Sequence, residues 1–135
     1  MVSADRIGMV LPYKAEYVSV ARLTVSGIAS RIGFDIETIE DIKVAVSEVC
    51  SRIISVASGM EGQYEILFDI FEDKLVINFI SDIEKTRCIF DDDDDDGLGM
   101  SIINAFMDKV ELCPENSNYI LSMTKTFEVI SSDGL

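Results

Sequence analysis

The run from Gln63 to Ser81, QYEILFDIFEDKLVINFIS, decides the fold class. Tyr64 to Phe71 is rich in β-forming residues, Glu72-Asp73 supplies a turn, and Leu75 to Ile80 returns to β-forming sequence. A hairpin of antiparallel strands with a tight connection is therefore expected. Upstream the period is helical. Ile39, Ile42, Val46, Val49, Ile53 and Ala57 recur as one apolar stripe, Asp35 stands as N-cap with Glu37 in the first turn, and Ser58-Gly59 ends the element. Another face of the same helix carries Asp41, Ala45, Glu48, Arg52 and Ser55.

Farther back, Tyr17, Val20, Ala21, Thr24, Val25, Ile28, Ala29 and Ile32 form the stripe of an earlier helix stopped by Gly33. Ser19, Arg22, Ser26 and Ser30 fall on its other side. Arg6 to Tyr13 reads as a first strand. Downstream, Gly97-Leu98-Gly99 opens a third helix that turns Ile102, Ile103, Phe106 and Val110 inward. Val110 to Cys113 begins a strand, Pro114 to Asn118 turns, and Tyr119 to Phe127 alternates, with Tyr119, Leu121 and Met123 on one face. This order implies an α/β (α+β) two-layer sandwich, a mixed and mainly antiparallel sheet with three helices on one face. One domain over residues 1–135 is expected, with Val129 to Leu135 as a frayed tail.

Composition narrows the chemistry. At 135 residues and 48% hydrophobic, the chain can bury a core without disulfide or metal staples. Its three cysteines, Cys50, Cys88 and Cys113, are widely spaced and read as free thiols. With no histidine, the Ser-His-Asp and Cys-His arrangements and the usual zinc cages are excluded. Met1 to Ile7 contains Asp5 and Arg6 and lacks the apolar core of a signal peptide. Every apolar run stops short of the roughly 20 residues that span a bilayer. A cytoplasmic location without membrane contact is expected. The net charge of −14 repels nucleic acid and favours a basic protein partner.

Three stretches carry a resemblance. They are Glu16-Tyr17-Val18 through Arg22-Leu23-Thr24-Val25-Ser26-Gly27; Glu40-Asp41-Ile42-Lys43-Val44-Ala45-Val46-Ser47-Glu48; and Gly97-Leu98-Gly99-Met100 through Phe106-Met107-Asp108-Lys109-Val110. Together, in this order and spacing, they resemble the anti-sigma factor/serine-protein kinase family (RsbW/SpoIIAB-like) of the GHKL, or histidine-kinase-like, ATPase superfamily. The resemblance implies that Glu48 holds the position of a catalytic base. It also puts Arg52 where that family has a magnesium-binding asparagine, one helical turn after the glutamate. Arginine cannot ligate a cation, so Glu48 is read as a vestigial base and no metal is expected. Arg52 is read as pairing with Glu48, the alternatives being phosphate binding or an ordinary solvated helix pair.

The resemblance further implies that Asp82 reads adenine and that Gly97 and Gly99 would seat phosphate at a helix N-terminus. Glu84 stands where the family has a glycine, and Asp91 to Asp96 precede the phosphate seat with six carboxylates. That run is read as an acidic loop, as a phosphate mimic folded onto the third helix, or as a weak and nonspecific cation binder. Arg22 matches an arginine through which the family contacts its protein partners, and Ser26 continues its line. The resulting expectation is an anti-sigma-factor-like regulator that binds a sigma factor or anti-anti-sigma partner and uses no cofactor. The alternative is an active protein-serine kinase using ATP and magnesium. The resemblance also implies a homodimer.

Overall fold

The computed structural model describes residues 4–82 and 98–128. In chain order the elements are β1 (Asp5–Pro12), a 3₁₀ turn (Ala15–Tyr17), α1 (Val18–Ile32), α2 (Ile36–Val56), β2 (Gln63–Ile70), β3 (Lys74–Ser81), α3 (Leu98–Phe106), β4 (Lys109–Leu112) and β5 (Tyr119–Thr126). The five strands form one sheet in the order β1-β2-β3-β5-β4. Every pairing in it is antiparallel, so the sheet is simpler than the mixed one expected.

One face of the sheet and all three helices share a single hydrophobic cluster. Register explains which side chains enter it. Ile66 lies opposite Phe79 and Phe68 opposite Ile77, while Ile77 and Phe79 in turn lie opposite Met123 and Leu121. These six residues are buried and point to the helical layer. The other face presents Arg6, Asp69 and Asn78. Arg6 donates twice to Asp69, at 2.6 and 3.0 Å, and Asn78 Nδ2 donates to Asp69 Oδ2 at 3.3 Å.

α2 is packed between α1 and α3. Its start is set by Asp35, whose Oδ1 accepts from the Thr38 amide at 2.8 Å. That hydrogen bonding holds the Asp35 carboxyl below the usual aspartate range. All six residues of its expected stripe are buried. Ala45, expected on a different face, is buried too, because a helix flanked on both sides covers a wider arc than a surface helix. Between α1 and α2 the chain reverses at Gly33. There φ is +116°, and a Cβ would stand 3.1 Å from the Phe127 ring.

Other departures have local causes. Tyr17 and Val20, expected in the buried stripe of the first helix, are 38% and 40% exposed. The 3₁₀ turn shifts the phase, and the inward line starts instead from Val18 and Ala21. In β5, Ile120 is buried beside Leu121, where strict alternation predicts one of the two outside. An irregularity in the β3–β5 register between Phe79 and Ile80 accounts for this. Ile103 of α3 is fully buried, whereas Ile102 and Phe106 are half-buried and Met107 completes the inward line.

Of the cysteines, Cys50 is free and buried, but Cys113 is disulfide-bonded. The free-thiol reading is therefore wrong for Cys113, because linear spacing does not report which side chains meet. Cys88 lies outside the described residues. No helix among the described residues is long and apolar enough to cross a membrane.

The central position of α2 gives a stability prediction. Ile53 is fully buried in the shared cluster, so Ile53→Ala should cost about 2–5 kcal/mol. Chemical denaturation of the variant checks this.

Candidate functional site

α2 places its half-buried flank, with Glu48 and Arg52, beside the fully buried Val49 and Ile53 that lock the helix to the core. Neighbouring α3 begins at Leu98, so Gly99 lies in its first turn. The far end of α3 is pinned by β5, since Lys125 Nζ donates to the Phe106 carbonyl at 2.9 Å. Next to it, Asp108 Oδ2 accepts from the Thr126 amide at 2.7 Å. β3, an interior strand, ends at Ser81 and delivers Asp82 to an exposed bend.

The strand end that carries Asp82 is held by residues the sequence reading did not single out. Tyr13, just past β1, shares a 2.7 Å hydrogen bond between its hydroxyl and Ser81 Oγ. Its ring stacks on Tyr64 with centroids 5.8 Å apart and planes 8° from parallel. Tyr64 is buried, and among the described residues its hydroxyl has no hydrogen-bond partner. Burial, and then the adjacent Cys50, pushes its phenol upward. Burial likewise pushes the Cys50 thiol up to about 11, which makes it unreactive at neutral pH. No motif could have revealed this arrangement, because Tyr13, Tyr64 and Ser81 come from three different strand ends.

The expected site residues fall into two groups. Glu48, Arg52 and Gly99 sit on the adjacent helices α2 and α3, with Asp82 at the end of β3. Arg22 and Ser26 are on α1, which packs against the other side of α2. Gly97, Glu84 and Asp91 to Asp96 lie outside the described residues. Glu48 and Arg52 do not form the expected ion pair, since no such pair within 4.0 Å joins them among the described residues. Arg52 does have an interaction of its own. The i, i+4 spacing permits pairing without requiring it, and a half-buried arginine can reach elsewhere along its long stem.

These residues do not suit magnesium. Guanidinium has only donors, so Arg52 offers a cation nothing, and Glu48 is the sole oxygen ligand of that helical pair. Among the described residues, no group of three or more Cys, Asp or Glu side chains is placed to hold a metal ion.

On α1, Arg22 is exposed and Ser26 half-buried. Exposed apolar side chains lie elsewhere around the helix: Leu23, 71% exposed, is about 100° from Arg22 and Val20 about 160°. An exposed arginine, with its planar donor fork on an apolar stem, suits a protein-binding surface.

Comparison with known proteins agrees with this architecture. The family model described as a histidine kinase-like ATPase domain matches residues 11–125. The chain is 38% identical to serine-protein kinase RsbW of Halalkalibacterium halodurans, over 90% of this chain and 83% of that protein. It is 35% identical to serine-protein kinase RsbW of Bacillus cereus strain Q1 and to its counterpart in Bacillus thuringiensis subsp. konkukian, in both cases over 96% of this chain and 91% of the relative. With the order of elements, the antiparallel sheet and a match over most of its length all in agreement, the chain belongs to the histidine kinase-like ATPase domain family.

Proposed function

We propose that this protein is an anti-sigma-factor-like regulator in the cytoplasm that binds a sigma factor or an anti-anti-sigma protein and whose ATP site is degenerate. The observation that carries this reading is Arg52, a half-buried cation at the position from which the family coordinates magnesium. Phosphoryl transfer depends on metal and fixed cations around the phosphates, and a guanidinium in the metal position supplies charge without coordination. Protein binding needs none of that machinery. It uses α1, where the exposed Arg22, with Ser26 one turn on, combines a planar donor fork with an apolar stem. The net charge of −14 fits a basic partner and opposes direct contact with nucleic acid.

An active protein-serine kinase is the second reading. It is favoured by the retention of Glu48, Asp82 and Gly99 and by similarity to relatives that carry the kinase name. Magnesium-ATP separates the two. A ligand at a hundred times its Kd adds about 2.7 kcal/mol to the folded state, which raises Tm by several degrees. The degenerate site predicts no shift at 1 mM Mg-ATP, and a clear shift would overturn it in favour of the kinase reading.

The protein-binding surface has its own test. Arg22→Ala should weaken the complex with the sigma factor or anti-anti-sigma protein about tenfold or more, while leaving Tm unchanged. Unchanged affinity, measured by calorimetry, would rule out this surface.

A homodimer paired through the helix-free face of the sheet completes the proposal. That face holds Asn78, which is 3% exposed and whose Oδ1 lacks a hydrogen-bond partner among the described residues, and it exposes Val10 at 50%. Sedimentation equilibrium should give twice the chain mass, and Val10→Glu should return it to the monomer. A monomeric parent protein would refute the pairing.

A further inference from the structure

α1 and the edge strand β1 do not close on each other. Between them runs a groove of about 700 Å³, lined on the helix side by Leu23, Gly27 and Ile28 and on the sheet side by Ile7 and Ile70. Ile7 is 43% exposed and Leu23 71%. The Leu23–Gly27–Arg31 line of α1 is one residue on from the Arg22–Ser26–Ser30 line. It is therefore rotated about 100° around the helix, away from the surface assigned above.

Three features point to one kind of occupant. β1 is an edge strand paired only with β2, so alternate backbone amides and carbonyls are directed away from the sheet along the groove. Gly27 lies in the interior of α1, where glycine weakens a helix. Among the described residues a Cβ there would meet nothing within 4 Å, so no described neighbour requires the glycine. A second backbone approaching closely would require it. Finally, Asp5 and Glu72 line the groove and form no ion pair among the described residues.

We infer that this groove receives an extended segment of a protein partner, added as a strand to the free edge of β1. The segment is apolar at the alternate positions that turn toward α1, and it carries a lysine or arginine where it meets Asp5 and Glu72. Main-chain pairing gives affinity, and the apolar lining with its carboxylates gives selectivity. Arg31, on the helical wall, can donate to the carbonyls of the incoming chain. A compact small molecule fits less well, because such sites converge several polar groups on one interior point. This inference does not depend on the state of the nucleotide site or on Arg22.

The test uses the ¹⁵N-labelled full chain in 150 mM salt. It is titrated with the synthetic peptide Lys-Lys-Val-Thr-Val-Thr-Val-Thr-Lys-Lys and with the same peptide carrying glutamates in place of the lysines. The lysine peptide should shift amides of residues 5–12 and 23–32 and bind at least tenfold more tightly than the glutamate peptide. Gly27→Leu should fill the groove, weaken the lysine peptide at least tenfold and hold or raise Tm. The double variant Asp5→Asn, Glu72→Gln should abolish the preference between the peptides, which separates local recognition from general attraction to an acidic protein. The inference is overturned if neither peptide binds, if the shifts fall away from β1, if Gly27→Leu binds like the parent, or if the preference survives the double variant.

Discussion

Burial of α2 is the constraint on which the rest of the structure depends. Its stripe from Ile39 to Ala57 is buried against the sheet while its flanks meet α1 and α3, so one helix sets the positions of both neighbours. Each fully buried isoleucine contributes roughly 1.5–3 kcal/mol of apolar burial, and Ile42 and Ile53 sit in the same cluster as Phe68, Ile77 and Phe79. A close-packed interior leaves such a helix little freedom to rotate. The side chains on its half-buried flank are therefore presented in fixed directions, and Glu48 and Arg52 inherit their placement from residues that have no chemical role.

That rigidity gives the arginine at position 52 its meaning. On a mobile surface helix, a guanidinium in place of an amide could swing aside. On α2 the backbone cannot withdraw, and Arg52 is half-buried and not without a partner. The scaffold of the family is thus kept, with a capped and fully buried α2 and a strand end at Asp82 braced by Tyr13 and Ser81. The change of chemistry proposed above concerns Arg52 alone, a side chain on that kept scaffold. A fold maintained by packing can outlast changes in its chemistry, because the two make demands on different side chains.

The two faces of the molecule are finished differently. The helical face of the sheet is covered, and the opposite face carries the Arg6–Asp69–Asn78 network, in which Asp69 is shielded although none of the described helices lies over it. α1 is divided in the same way. Ala21, Val25 and Ala29 are fully buried, while Tyr17, Val20 and Leu23 remain exposed. An amphipathic helix normally leaves charged or polar groups on its outer side, yet α1 exposes Val20 and Leu23, and α2 likewise exposes Ile36, Val44 and Val56.

Much of this was legible in the residue pattern. Periodicity located the three α-helices and five strands of the described residues, Asp35 and Gly33 marked helix ends through their own backbone chemistry, and every member of the Ile39–Ala57 stripe is buried. These features are local, because a cap, a turn or a stripe is decided by residues a few positions apart. What required the tertiary structure was non-local. Strand order placed β5 between β3 and β4, and flanking helices on both sides buried Ala45. A 3₁₀ turn left Tyr17 and Val20 outside, three distant strand ends met at Tyr13, Tyr64 and Ser81, and Cys113 proved to be disulfide-bonded. Glu48 and Arg52 show the boundary most clearly. Helical spacing by itself put them within reach of each other, but whether they pair is decided by the free energy of every competing contact, and those contacts exist only in the folded chain.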